Sequence, residues 1–283
     1  MEPSQYLIFF KDLSYFQIPY MTFAWILCIV TGNGSFVDLA WPSGFVIMTS
    51  QIFFNSKGYL QRKLLICFPY IFCGLRFIFG WVFARKHYKQ EDRRWSLWRR
   101  KWEKGEGIFG IKSIPINFFF FYHCQSIANV FCFSIPVILC CNNKSEKLYF
   151  GEIIGIGFWA LSFILENVAD RQLGEFKKTN KDCKDNKGKV MKYRLWKYSR
   201  HPNYFFEWLI WSSYAFIALF SVKSNFDYLL LTIVPIFAYY FLVYFTGVPM
   251  NEKASLESRG NEYAEYQKKT NMFFPWFPRE QDD

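Results

Sequence analysis

Seven apolar runs divide this 283-residue chain, each near the roughly 20 residues that a helix needs to cross a hydrocarbon core about 30 Å thick. They lie at about Tyr15 to Val30, Trp41 to Phe54, Leu64 to Ala84, Ile114 to Cys141, Leu148 to Val168, Tyr204 to Phe220 and Tyr228 to Val248. Turn signals separate them, such as Thr31-Gly32-Asn33-Gly34 and Asn55-Ser56-Lys57-Gly58. With 52% hydrophobic and 23% aromatic residues, the chain is too apolar for an ordinary soluble domain. The expected fold is all-α: a polytopic membrane protein of about seven transmembrane helices, forming a single integral membrane domain over residues 1–283.

A net charge of +11 would point to nucleic acid in a soluble protein. Here it reports orientation, because Lys and Arg collect in cytoplasmic loops. Of the 34 Lys and Arg, 26 fall in 85–112, 171–200 and the tail, which share one face if the spans alternate. This sets the N-terminus outside, the C-terminus in the cytoplasm, and 85–112, 169–203 and 249–283 as cytoplasmic loops and tail, with no nucleic acid as partner. The Lys/Asn/Asp-rich centre of the second loop, Lys177 to Lys189, is expected to be mobile. Eight cysteines sit almost wholly in apolar runs with no CxxC pair, so they read as packing residues and not as a disulfide framework or metal site. The first run follows no charged segment with a cleavage site and is expected to be a retained helix. An endoplasmic-reticulum location in a eukaryote and an inner or plasma membrane in a bacterium read the same.

Candidate chemistry gathers toward the cytoplasmic side. Glu166 and Asp170 are four apart and share a helix face. Asp170, Arg171, Lys177, Arg194, Lys197 and Arg200 make a mixed-charge mouth suited to an anionic cofactor, since Arg offers bidentate contacts to phosphate. For the lysines a solvated basic loop is the competing explanation. His201-Pro202 opens the sixth run: the proline biases His201 out of helical geometry and is harmless at a first helical position. Asn203 and Glu207 then lie one turn apart, and a carboxylate at membrane depth is a functional-site hypothesis by default. His123 and Gln125 are explained by interhelical hydrogen bonds. Trp95, Trp98 and Trp102, beside Arg93, Arg94, Arg99 and Arg100, read as an interfacial belt. There is no GxGxxG after a strand, no P-loop and no G-x-S-x-G, so a cofactor would not be held by a Rossmann domain.

Several motifs together resemble the DUF1295 family: Asp38-x-x-Trp41, Glu91-Asp92-Arg93-Arg94-Trp95, Gln125, and Glu166-x-x-Ala169-Asp170-x-Gln172-Leu173-x-x-Phe176. The Arg200-His201-Pro202-Asn203-Tyr204 block with Glu207 is the most specific. Gly247-x-Pro249-x-x-Glu252, Tyr263-x-x-Tyr266 and Phe274-Pro275 complete the set. That family is similar to the steroid 5-alpha-reductases and, more distantly, to the sterol reductases. The chain departs from the usual pattern at Arg194-Leu195-Trp196, where the family has Gly-Leu-Trp, at Phe206, where it has Gly before the glutamate, and at Trp95, where it has Tyr.

The resemblance implies NADPH in the cytoplasmic half and a flat, membrane-borne lipid substrate. By position in the motif, Glu207 is the group that holds the carbonyl oxygen while hydride passes to the beta carbon of an enone; a protonated carboxyl can donate a hydrogen bond to the developing enolate. Gln51 and Gln125 both qualify as its amide partner. Glu166, Asp170, Arg171, Tyr198, Arg200, His201, Asn203, Tyr204 and Glu252 match the cofactor segment, with Tyr263 and Tyr266 closing over it. The competing implication is an S-adenosylmethionine-dependent methyltransferase of a lipid or prenylated end, since the His-Pro block and the tail from Glu252 to Tyr266 are also similar to isoprenylcysteine carboxyl methyltransferases. A third is a lipid-binding scaffold that kept the fold and lost the chemistry.

Overall fold

A computed structural model describes residues 2–83, 91–180, 189–245 and 247–279. Cys183, residues 85–90 of the first basic loop and most of the Lys177 to Lys189 segment lie outside the described residues. The described chain is all helical. Its helices are α1 (Pro3–Thr31), α2 (Val37–Asn55), α3 (Leu60–Phe83), α4 (Arg93–Glu103), α5 (Ile114–Ile127), α6 (Ile135–Asn142), α7 (Phe150–Thr179), α8 (Pro202–Ala218), α9 (Asn225–Tyr240), α10 (Val248–Arg259) and α11 (Asn261–Lys269).

Five stretches are long and apolar enough to cross a membrane: Pro3–Thr31, Leu60–Phe83, Ile114–Asn142, Phe150–Thr179 and Asn225–Arg259. That is the architecture of an integral membrane protein. The runs from Trp41 and from Tyr204 are also helical, as α2 and α8. Prolines sit at the first or second position of α1, α5, α6 and α10, where the missing N–H is harmless. Between α5 and α6 the helix widens into a π turn, Ala128–Phe133, and after α9 into another, Phe241–Phe245.

The described chain groups into two compact units, 1–153 with 214–234 and 154–213 with 235–283. In the first, α2 packs along α3, and α1 along α2 and α5. The Glu91-Asp92 motif, read from sequence as part of a polar loop, builds the start of α4. Asp92 caps that helix by accepting from the Arg94 N–H at 2.9 Å. Glu91 accepts from the Gly34 N–H at 2.7 Å and from Arg99 Nε at 3.0 Å. Asp38 accepts from Arg94 Nη2 at 3.1 Å and Trp95 Nε1 at 3.2 Å. These acidic residues therefore dock α4 against the corner between α1 and α2.

That docking corrects the reading of the tryptophans. Trp95 and Trp102 are 4% and 2% exposed and pack with Met21, Phe118, Phe121 and Tyr122 in one core. The amphipathic α4 turns them inward, so they form core and not an interfacial belt. At the other end of this unit Arg62 and Glu152 form an ion pair with no side-chain exposure, Arg62 Nε to Glu152 Oε1 at 2.5 Å. Arg62 also donates to the carbonyls of Ser145, at 2.6 Å, and of Lys147, and Glu152 accepts from the Tyr149 N–H at 2.7 Å. Each of the seven described cysteines is free.

In the second unit the chain after α11 turns back along residues 198–200. The Arg200 N–H donates to the Asn271 carbonyl at 2.8 Å, and the Trp276 N–H to the Tyr198 carbonyl at 3.0 Å. Ser199 Oγ donates to the Phe273 carbonyl at 2.8 Å. This tail brings Phe273 and Phe274 against Trp208 and Tyr239, so the stretch just before α8 is clamped between helices and tail.

Candidate functional site

Glu252 is the hub of the second unit. Gly247-x-Pro249 starts α10 and sets Glu252 just past its first turn, where it collects donors from two other segments, residues 200–201 and α11. Arg200 binds it with Nε at 2.8 Å and Nη2 at 3.1 Å, and His201 Nε2 lies 2.9 Å away. Tyr263 OH donates to it at 2.9 Å, and so does Gln267 Nε2. Arg200 spends its remaining N–H groups on the carbonyls of Gln267, at 3.0 Å, and Thr270, at 2.5 Å. His201 is 5% exposed. Burial, with Arg200 beside it, holds its pKa below the usual value despite the opposing pull of Glu252. A neutral imidazole donating from Nε2 matches this geometry. Burial likewise raises the Tyr263 and Tyr266 phenols, keeping both as donors.

Replacing Glu252 by Gln removes the charge on which Arg200, His201, Tyr263 and Gln267 converge. With Arg200 and Glu252 side chains only 10% and 14% exposed, the loss is expected to be about 3 kcal/mol. It would be read as a drop in melting temperature of the detergent-purified protein. A variant melting within a degree of the parent would show that this cluster does not hold the unit together.

Above the hub opens a cleft with an empty volume, mouth included, of about 560 Å³. Its walls are Trp196, Tyr204, Tyr263 and Tyr266, with Leu173, Val190 and Met191; its polar lining is Lys177, Arg200, His201, Asn203, Asn251, Ser255 and Arg259. No lining residue among those described is acidic. Tyr204 stacks on His201 with ring centroids 5.6 Å apart and accepts at its hydroxyl from Asn251 Nδ2 at 2.7 Å. Gly247 permits this: a Cβ there would come within 3.1 Å of the Tyr204 ring. Asn203 Nδ2 donates to Asp170 Oδ1 at 3.0 Å, while its own Oδ1 is buried with no partner among the described residues.

The structure thus brings together Arg200, His201, Asn203, Tyr204, Tyr263 and Tyr266 around one cleft, with Asp170 and Glu252 directly behind it. Four residues carried by the resemblance stand elsewhere. Arg171 points into an exposed pair with Glu175, 2.8 Å away, because the helix continues past the apolar run and a residue next to Asp170 faces away from it. Tyr198 does not line the cleft; its ring packs edge-on against Phe277. Gln51 and Gln125 belong to the first unit. Phe206, the departure beside Glu207, is 8% exposed and does not line the cleft. Arg259, Ser255 and Asn251 escaped the sequence reading. Their spacing of four along α10, which stacks them on one face, is the signal that could have found them.

Glu207 and Glu166 lie deeper. Each is one turn farther from the segment joining α7 to α8 than the Asp170–Asn203 bond, a rise of about 6 Å. Glu207 is half-buried and Glu166 is 4% exposed.

Comparison with known proteins places this arrangement. Residues 24–270 match the family model described as protein of unknown function DUF1295. The chain belongs to the DUF1295 family. It is 24% identical over 276 residues to an uncharacterized protein of Schizosaccharomyces pombe, covering 89% of this chain and 75% of that one. No solved structure matches it. The match takes in every residue of the cleft, including the Arg200–Glu252 hub and the α10 face that carries Arg259.

Proposed function

We propose that this DUF1295 protein is an NADPH-dependent reductase of a conjugated carbon–carbon double bond in a steroid, sterol or other isoprenoid-like lipid. The observation that carries the reading is the charge of the cleft: Lys177, Arg200 and Arg259 line it and no described lining residue is acidic. Phosphates of a dinucleotide need such cations. S-adenosylmethionine, with its sulfonium and ammonium groups, needs carboxylates instead.

Lys177 and Arg259, the other two cations of the lining, are the phosphate-binding groups; Arg259 also donates to Ser255 Oγ at 2.9 Å. Trp196, Tyr204 and Tyr263 supply flat apolar walls. Asn203 Oδ1 is an acceptor turned away from its bond to Asp170, suited to an amide or hydroxyl donor of the cofactor. NADPH supplies the hydride. Hydride would add to the beta carbon while Glu207, one turn beyond Asn203, donates a hydrogen bond to the substrate carbonyl as charge moves onto its oxygen; the alpha carbon of the resulting enolate would then take a proton from water, which restores the carbonyl. We further read the seven apolar runs as seven spans, with the cleft on the cytoplasmic side.

Thermal unfolding of the detergent-purified protein tests the cofactor. At 100 times its dissociation constant a ligand of the folded state adds about 2.7 kcal/mol. NADPH should raise the melting temperature, and Lys177→Ala with Arg259→Ala should abolish that rise. Stabilisation by S-adenosylmethionine and not by NADPH would sink the reductase reading.

A further inference from the structure

Three segments of the first unit bring uncharged polar side chains together among apolar helices. Gln17 on α1 has no exposure, and neither its Nε2 nor its Oε1 has a hydrogen-bond partner among the described residues. Asn129, in the π turn after α5, is equally buried. Its Oδ1 has no partner among the described residues and its Nδ2 reaches the Trp41 carbonyl at 3.3 Å. Both amides meet over Gly44 of α2. A Cβ there would lie 2.9 Å from Gln17 Oε1, 3.0 Å from Gln17 Nε2 and 3.1 Å from Asn129 Nδ2. One turn before Asn129, Gln125 is 7% exposed and its Oε1 also has no partner.

An unmet buried polar group costs about 1–3 kcal/mol, and no water in a hydrocarbon layer relieves it. Apolar residues of the same shape would be more stable here, so the cluster points to a partner that enters. The π turn that carries Asn129 is itself a feature that recurs at functional sites. The unmet atoms define the partner's chemistry. Three are acceptors, the amide oxygens of Gln17, Gln125 and Asn129, and the unmet donor is Gln17 Nε2. A ketone or an ether only accepts and would leave all three oxygens unmet. An anion adds a further acceptor to a cluster without a cation. An alcohol donates to one oxygen and accepts from Gln17 Nε2, meeting an acceptor and the donor with one group.

We infer that Gln17 and Asn129 bind the hydroxyl group of a neutral membrane lipid. One turn before Gln17, Leu13 lines a small cleft between α1 and α2 together with Phe9, Asp12, Gln51, Ile52 and Asn55. This site lies in the first unit and is independent of the nucleotide reading, which its test does not involve.

The test is thermal unfolding of the full chain in detergent with cholesterol, dioleoylglycerol or phytol, each beside its O-methyl ether. At saturation at least one alcohol should raise the melting temperature by roughly 5 °C, and its ether should not. Gln17→Met and Asn129→Leu should melt no lower than the parent without lipid and should lose the shift. Gly44→Ala, which leaves both amides in place but crowds the notch, should also lose it. Equal shifts from alcohol and ether, a shift that survives in all three variants, or no shift from any alcohol would each overturn the proposal.

Discussion

Arg62→Met is expected to lower the melting temperature by roughly 10 °C, the equivalent of about 3–5 kcal/mol. The physical reason is asymmetric. The pair itself contributes little over apolar residues of the same shape, but removing one partner leaves Glu152 as an uncompensated charge with no side-chain exposure. The carbonyls of Ser145 and Lys147 lose their donor in the same step. Glu152→Gln should cost about as much, because it leaves the Arg62 cation uncompensated, and the single oxygen of an amide cannot accept both from Arg62 Nε and from the Tyr149 N–H as the two carboxylate oxygens do. The double variant Arg62→Met/Glu152→Leu should recover most of the loss, since no charge is then buried alone. Thermal unfolding in detergent reads all three. A double variant no more stable than Arg62→Met would place the cost in the carbonyl contacts and not in the charge.

Glu207→Gln is expected to reduce turnover by about 10²–10³-fold, the usual cost of losing one group that stabilises an oxyanion. It should leave the melting shift expected from NADPH unchanged, because Glu207 does not line the cleft proposed to bind it. The separation matters. A variant that loses both turnover and nucleotide stabilisation has a distorted α8, whereas one that loses turnover alone has lost a catalytic group. Full activity in Glu207→Gln would remove this carboxyl from the mechanism.

Much of the second unit was legible because its residues are close in sequence or repeat at helical spacing. The Arg200-His201-Pro202-Asn203-Tyr204 block places four cleft residues by local geometry alone: proline opens α8, Arg200 and His201 stay outside it, and Asn203 and Tyr204 follow on the first turn. Arg259 was missed although Asn251, Ser255 and Arg259 are evenly spaced, because nothing in a string shows which face of a polar helix turns toward a cleft. Arg200 was found, but its partner was not: folding pairs it with Glu252, 52 residues away.

The sequence by itself determined that this chain is helical and membrane-embedded, because apolar run length and the burial of the backbone in its own hydrogen bonds are local properties. It also marked the His-Pro block as the place where polar chain enters an apolar helix. Only the tertiary structure decided what the charged motifs do. Glu91, Asp92 and Asp38 became the dock for α4, Trp95 and Trp102 became core, and Glu252 became the centre on which Arg200 and His201 close. The difference is physical: a charge finds its meaning in the partner that neutralises it, and for these residues that partner is supplied by a distant segment, through contacts that no local spacing encodes.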